Sequence, residues 1–362
     1  MARVFVHCGL HKTGTTALQQ FLLTAAPSLL TLGILYPQPG RLDHWGGGHH
    51  NTAWHLTHDR RYDRTWGTFD ALLDEIAAHT GDVVLSSEDF ETCLGAPWLF
   101  SPLIHDLRLR GREFVFVVYL RDQIGYAERQ YTQNLGHKIG EDCLSVVRQI
   151  LERRELAVWE WRYQFDYLRM LQRMRALLPG QFVFRDYAAL VGNSVVSDFI
   201  HVISPRTVLN ADPLPRSNAR WQLLEALAMF FYNRVDRTLT EHEAAALRLI
   251  ASTAGGQPLT LATGLRRAIA RTFDHGNRAL CRMIGMDPQA LDLESRVAQT
   301  PGAQCYMDRV FSFETHVAIA AVASLLPESA LKGTPKLEDL PPAGRAVLTG
   351  LRADWRRDDR GA

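Results

Sequence analysis

The sequence of 362 residues predicts an α/β fold in which helices flank a parallel sheet. Three short runs rich in β-branched and aromatic residues indicate strands, at residues 4–6, 82–86 and 113–120. The second and third runs are apolar without alternation, which is typical of strands buried on both faces. Helical segments separate the runs, so we expect right-handed crossovers and ligand binding at the carboxyl ends of the strands.

The order of the elements supports this fold class. Residues 4–6 lead into a glycine-containing loop at residues 9–16, and apolar residues at helical spacing follow it. A helix is predicted over residues 68–79. A fourth strand is predicted at residues 181–184, after a long helical stretch over about residues 144–178. The arginines and aromatic residues of that stretch predict an amphipathic helix with one solvated face.

The composition after residue 204 favours helices. We predict them over residues 221–235, 241–251, 265–284 and 313–326, separated by loops that contain Pro and Gly. The predicted division is therefore an α/β core of residues 1–205 and a helical region of residues 206–362, which could also pack on the core as one domain.

Charge and apolar patterning exclude several classes of partner. Lys and Arg total 40 against 39 Asp and Glu, so no global basic field favours nucleic acid or an anionic membrane. The longest apolar stretch, residues 317–326, is about half of the ~20 residues that a spanning helix needs. We expect no secretory leader, no disulfide framework from the five scattered cysteines, and a cytoplasmic location. The oligomeric state is not readable.

The loop after the first strand has the chemistry of an anion site. Gly9 and Gly14 allow a tight turn with N–H groups pointing inward, and a helix that begins near Thr15 adds unpaired N–H groups and a positive dipole end. Lys12 adds a full charge. Three hydroxyls add donors, on Thr13, Thr15 and Thr16. The lysine precedes the second glycine, unlike the Walker A pattern GxxxxGK[ST], and this departure disfavours an ordinary ATP or GTP site.

The run His-Lys-Thr-Gly-Thr-Thr at residues 11–16 resembles the 5′-phosphosulfate loop of the sulfotransferases that use 3′-phosphoadenosine 5′-phosphosulfate (PAPS), especially their carbohydrate and bacterial branches. The resemblance implies a P-loop-like fold, PAPS as co-substrate and no metal. It places Lys12 on the oxygen between phosphate and sulfonate. The loop residues that it assigns to PAPS are Gly9, His11, Lys12, Thr13, Gly14, Thr15 and Thr16. His11 could instead have a purely conformational role.

A second element of that family is a strand that ends in arginine, with a serine eight residues later, and the two bind the 3′-phosphate. Arg121 directly follows the strand at residues 113–120 and matches the arginine. Position 129 is arginine in place of serine, so Arg129 either binds the 3′-phosphate bidentately or points to solvent. The resemblance covers roughly the first 135 residues, with a weaker later match at Arg185-Asp186-Tyr187.

Two residues are candidates for the general base that sulfuryl transfer to a hydroxyl needs. Glu88 follows the second strand, and its place in chain order resembles that of the sulfotransferase base. It could equally be a carboxylate that favours a helix N-terminus. His50 is the other candidate, because histidine titrates near ~6.5.

Histidines are concentrated in one short segment, which raises a zinc hypothesis. They are His44, His49, His50, His55 and His58. No cysteine lies nearby and the spacing matches no named zinc signature, so we expect a substrate loop and no metal site.

The sequence therefore predicts an enzyme, a sulfotransferase that moves a sulfuryl group from PAPS to a hydroxyl or amine by in-line displacement. The expected acceptor is a carbohydrate or glycoconjugate, whose identity the sequence does not specify. One alternative is a P-loop kinase that uses ATP and Mg²⁺, with residues 83–89 as a Walker-B-like strand. Another is a nucleotide-binding protein without catalysis.

Overall fold

The computed structural model describes residues 2–137, 141–190, 195–205, 233, 240–253, 260–298, 313–329 and 336–349. These residues fall into two compact units, each described here by itself. The first draws on Met1–Tyr126, Arg148–Pro215 and Arg267–Gln299, and the second on Ala127–Val147, Arg216–Arg266 and Thr300–Ala362. Each unit therefore takes residues from both sides of position 205.

The first unit contains the strands of the described chain. In chain order they are β1 (Arg3–His7), β2 (Ile34–Leu35), β3 (Asp82–Ser86), β4 (Glu113–Leu120), β5 (Glu155–Val158), β6 (Trp161–Gln164) and β7 (Gln181–Asp186). Five of them form a sheet in the order β2-β3-β1-β4-β7, in which every pairing is parallel. The predicted α/β class with a parallel sheet flanked by helices is confirmed.

The helices connect and cover the strands. Up to residue 203 they are α1 (Thr15–Thr31), α2 (His50–Thr57), α3 (Phe69–Ala78), α4 (Phe90–Gly95), α5 (Ser101–Leu109), α6 (Gln123–Gly136), α7 (Cys143–Arg153), α8 (Tyr167–Leu177) and α9 (Val195–Ile203). After that they are α10 (Glu241–Thr253), α11 (Thr263–Ile284), α12 (Leu293–Ala298) and α13 (Phe313–Leu325).

The sheet is buried on both faces, which explains its unbroken apolar strands. Seven of the eight residues of β4 are buried. On one face α1 and α9 contribute Leu18 and Phe199 to a core that includes Val117. On the other face the ring of Phe116 meets that of Phe100 with centroids 5.3 Å apart. Helices on both faces leave the strand ends as the place for a ligand site.

The helix predicted over residues 144–178 is wrong. α7 ends at Arg153, the antiparallel hairpin β5–β6 follows, and α8 begins at Tyr167. Leu156 and Val158 are buried at alternate positions, as expected of a strand. The chain reverses at Trp159, whose φ is 50°.

The other predicted elements mostly agree with the structure. β1, β3, β4 and β7 lie at the predicted positions, and so do α3, α10, α11 and α13. The two-residue strand β2 was not predicted. The helix predicted over residues 221–235 lies outside the described residues, apart from residue 233.

The described part of the second unit has its own small apolar core. Ala246 and Leu249 of α10 pack with Ile319 and Val322 of α13. Within the described ranges, no helix combines the length and the apolar character that crossing a membrane requires.

Candidate active site

Three predicted site residues follow the ends of neighbouring strands at the same edge of the sheet. β1 pairs with β3 on one side and with β4 on the other. The loop that carries Lys12 follows β1, Glu88 follows β3, and Arg121 follows β4. Because the strands are parallel, their carboxyl ends bring these residues to one edge of the sheet, and the strand order changes direction between β1 and β4 there.

The loop between β1 and α1 is shaped to receive an anion. Lys12 has a φ of 65° and Gly14 a φ of 79°, so two left-handed residues flank Thr13. Such alternation turns successive N–H groups into a concave nest. Thr13 Oγ1 donates to the carbonyl of Leu10 at 2.6 Å and tightens the turn.

The N-terminus of α1 adds donors to this nest. No side chain caps the helix at Gly14, and its first turn holds no acidic residue. The first N–H groups of a helix have no partner within the helix. Together with the positive end of the dipole, they favour a negative group beside Thr15 and Thr16.

Gly9 gives the loop room where it leaves the sheet. A Cβ there would lie 2.5 Å from Thr15 Cγ2 and 2.9 Å from His7 Nε2. His7 Nδ1 contacts Ser86 Oγ at 2.8 Å, whereas Nε2 is buried without a hydrogen-bond partner among the described residues. Burial, opposed by the charge of Glu88, lowers the pKa of His7 to about 4. His7 is therefore a neutral group below the loop.

Arg121 joins β4 to the loop. Its Nη1 donates to the carbonyl of Lys12 at 2.5 Å, and its guanidinium lies 5.3 Å from the ring centre of Tyr187. Tyr167 Oη donates to the Arg121 carbonyl at 2.7 Å. Tyr187 also borders Gly14, where an added Cβ would lie 3.3 Å from its ring. Arg121 thus lies beside the loop and is supported by the ring of Tyr187. In the sequence, Tyr187 belongs only to the weaker match to the family at residues 185–187.

Arg129 is half-buried on α6 and belongs to the second unit. Its binding of a 3′-phosphate therefore stays a prediction.

Glu88 is the accessible carboxylate of a cluster of acids and histidines. Its side chain is 21% exposed, the remainder being covered by neighbours. Gln19 Nε2 donates to Glu88 Oε2 at 2.6 Å, and His50 Nε2 lies 3.9 Å from the same oxygen. His50 is buried at the start of α2. The two candidate bases are therefore neighbours.

Asp89 holds His50 in place and was not predicted as a site residue. Its Oδ2 accepts from His50 Nδ1 at 3.0 Å and from Trp54 Nε1 at 2.9 Å, and its Oδ1 accepts from Trp161 Nε1 at 3.0 Å. The guanidinium of Arg61 lies 4.7 and 4.6 Å from the two indole rings. Both oxygens of the buried Asp89 carboxylate therefore already accept hydrogen bonds.

Glu91 is a second buried carboxylate that the sequence did not reveal. Both the backbone N–H and Nδ1 of His11 lie within hydrogen-bond distance of its Oε2, at 3.0 and 2.9 Å. Tyr126 Oη donates to it at 2.7 Å, and so does the backbone N–H of Gln164. Glu91 therefore anchors both the backbone and the side chain of His11, and His11 in turn helps to hold the loop in place.

The cluster brings together two histidines and three acidic side chains, namely His11, His50, Glu88, Asp89 and Glu91. Burial opposes the charged form of His11, but the hydrogen bond and charge of Glu91 outweigh it and raise its pKa. Burial likewise opposes ionised His50, and Glu88 and Asp89 raise its pKa. The same imidazoles, against the effect of burial, lower the pKa values of Glu88 and Asp89. These shifts favour the imidazolium forms of His11 and His50 and the carboxylate forms of Glu88 and Asp89.

Three other histidines of residues 44–58, His44, His49 and His55, have partners outside this cluster. His49 Nε2 donates to the Pro37 carbonyl at 3.0 Å, and burial lowers its pKa to about 3, with Arg41 acting in the same direction. His44 stacks on Trp66, and His55 stacks on Phe69. Among the residues that the structure describes, no three His, Cys, Asp or Glu side chains form a group able to hold a metal ion.

We expect Asp89→Asn to lower the free energy of unfolding by about 3 kcal/mol or more, because it removes the charge that faces buried His50. The raised pKa of His50 contributes stability below the unfolded value of ~6.5, and this is lost as the pH rises through the folded pKa. The lowered pKa of Asp89 contributes above ~3.9, and this is lost as the pH falls through its folded pKa.

The loss should therefore be largest between about pH 4 and about pH 6.5 and smaller at about pH 9. Urea unfolding at about pH 6 and at about pH 9 measures the difference. Asp43→Asn is the control, since the Asp43 side chain is 52% exposed in its pair with Arg41. An equal loss in Asp89→Asn at both pH values would contradict the charged pair.

Compared with family models, with curated proteins and with solved structures, the chain gives no match.

Proposed function

We propose that the chain is a PAPS-dependent sulfotransferase with a P-loop-like α/β core. The observation that carries this proposal is the convergence at one sheet edge of the Lys12 loop, the Arg121 guanidinium and the Glu88 carboxylate. Two cations and an uncapped helix end suit a ligand with two separated anionic groups. A carboxylate beside them suits the removal of a proton from an acceptor.

The charges and hydrogen-bond donors of these residues fit PAPS. The loop offers its N–H nest and the hydroxyls of Thr15 and Thr16 to the 5′-phosphosulfate. Lys12 would bind the bridging oxygen and stabilise the charge that develops there as the sulfonate leaves. Arg121 would bind the 3′-phosphate, and its contact with the Lys12 carbonyl couples the two anion-binding elements.

Glu88 is the better candidate for the base. It is partly exposed, whereas His50 is buried, with Nδ1 on Asp89 and Nε2 against Gly48, where an added Cβ would lie 2.5 Å away. The proposed roles are that Glu88 accepts the acceptor's proton and that His50 stabilises and orients the carboxylate. The acceptor oxygen then forms its bond to sulfur while the bond from sulfur to the phosphate oxygen breaks.

A carbohydrate acceptor is supported by an exposed aromatic surface beside the cluster. Trp45 is 56% exposed, and its ring meets that of Trp54 edge-on with centroids 5.7 Å apart. Trp54 in turn binds Asp89. The exposed indole of Trp45 at a polar site provides the amphipathic contact that a sugar ring requires.

A kinase is the less favoured alternative. Its Walker-B-like carboxylate would have to coordinate Mg²⁺. Asp89 directs both oxygens to nitrogen donors, and Glu88 binds Gln19. The position of Lys12 before Gly14 also departs from the nucleoside triphosphate loop.

The proposal is tested by nucleotide binding. We expect the desulfated product, 3′-phosphoadenosine 5′-phosphate (PAP), to raise the Tm of the full chain by mass action, equally with and without EDTA. ATP, ADP and GTP should have little effect. Magnesium-dependent stabilisation by ATP, without an effect of PAP, would overturn the proposal in favour of a kinase.

A further inference from the structure

A small cavity lies where α7, the β5–β6 hairpin and α8 meet. Its volume is about 230 Å³, and its lining includes four arginines. We name it the arginine pocket, defined by Arg153, Arg154, Arg169 and Arg173. None of these residues belongs to the loop after β1, to β3 or to β4, and the lining of the pocket shares no residue with the proposed PAPS site.

The positive charge of the pocket is not neutralised by ion pairs. Glu155 and Asp166 also line it, yet within the described chain no carboxylate oxygen lies within 4.0 Å of a nitrogen of the four guanidinium groups. Asp166 instead caps α8 by accepting from the backbone N–H of Arg169 at 3.0 Å. The N-terminus of this helix adds the positive end of its dipole to the same place.

Arg154 lies at the junction of α7 and the β5–β6 hairpin and has an unusual backbone conformation. Its φ of 64° is a left-handed conformation that costs a non-glycine residue roughly 1 kcal/mol. Its carbonyl accepts from the N–H groups of Phe165 and Asp166 at 3.2 and 3.3 Å, which fixes the junction of helix and hairpin. Backbone strain of this kind is concentrated at functional sites.

The side chain of Arg154 carries an unsatisfied donor. Its Nη1 is buried and has no hydrogen-bond partner in the part of the chain that the structure describes. The guanidinium lies 5.4 Å from the ring centre of Phe273, which supports the cation but accepts no conventional hydrogen bond. A buried charged donor without an acceptor is costly, and a shift of the Arg154 side chain toward an anion in the pocket would remove that cost.

We propose that the arginine pocket binds the phosphate or sulfate group of an anionic ligand. Planar guanidinium groups match the oxygens of such groups bidentately. The volume lies below the ~300–1,000 Å³ of pockets that enclose drug-sized ligands, so the pocket holds one tetrahedral group with the rest of the ligand outside. The inference rests on these contacts and does not depend on the proposed function.

Calorimetric titration of the full chain with inorganic phosphate tests the proposal. We expect Arg154→Met combined with Arg169→Gln to weaken phosphate binding at least ~10-fold, because two charge-assisted contacts are removed. Arg175→Gln is the matched control, since Arg175 is an exposed arginine of α8 that does not line the pocket. Equal affinity in the double variant and in the control would overturn the proposal.

Two further sets of titrations show where phosphate binds and which class of anion the pocket prefers. Arg153→Gln with Arg169→Gln changes only exposed side chains, so a loss of binding there is not a folding defect. If Lys12→Ala removes all phosphate binding and the arginine variants remove none, the pocket proposal fails while the proposed function stands. Tighter binding of glucose 6-phosphate or glucose 6-sulfate than of inorganic phosphate would identify an ester group as the ligand.

Discussion

Lys12→Ala should lower kcat/KM for PAPS by about 10²–10³-fold, the usual cost of losing one donor to a developing oxyanion. The fold should be unaffected, because alanine and lysine both occupy the left-handed conformation at a similar cost. Steady-state kinetics and thermal unfolding of the purified variant measure the two effects. A fall in kcat larger than the rise in KM would show that the ammonium acts on the leaving group.

Arg108→Ala is the control for a general loss of positive charge, because Arg108 is exposed in the last turn of α5. It should retain full turnover. Undiminished turnover in Lys12→Ala, or an equal loss in both variants, would refute the role assigned to Lys12.

Glu88→Gln should lower kcat by about 10²–10⁴-fold, the usual range for loss of a general base. PAP binding should be retained, because glutamine preserves the size of the side chain and a contact with Gln19. The pH dependence should also change. Ionised His50 and His11 lower the pKa of Glu88 against the effect of burial, so wild-type activity should persist to a pH below ~4.3 before protonation removes the base.

His50→Gln separates the two candidate bases. If Glu88 is the base, His50→Gln should lower kcat less than Glu88→Gln, and it should move the acidic limb of the pH–rate profile to higher pH because one imidazolium is gone. If His50→Gln is the more damaging substitution and the acidic limb does not move, His50 is the base.

Much of the fold could be predicted from local sequence patterns. β3 and β4 are unbroken apolar runs because helices cover both faces of the sheet, and such runs are readable without long-range information. β2 pairs through only two residues and leaves no pattern. The hairpin β5–β6 turns at Trp159-Glu160, without the glycine or asparagine that marks a two-residue turn, so its aromatic residues gave the appearance of a helix.

The site was predictable only in part. The loop residues and Arg121 are recognisable because their roles depend on residue type and on position relative to a strand. The support beneath them is long-range: His11 binds Glu91, which is 80 residues away, and Asp89 binds Trp161, which is 72 residues away. Contacts between such distant residues depend on tertiary packing and have no signature in spacing.

The anchoring of His11 has a consequence for the thermodynamics of ligand association. Glu91 is completely buried and draws together the loop, Tyr126 and the strand that contains Gln164. The conformational entropy of the nest is therefore lost when the chain folds, and under the proposed function a nucleotide that enters later would meet a preformed receptor. Its affinity can then reflect charge and shape directly, with little free energy spent on ordering the backbone.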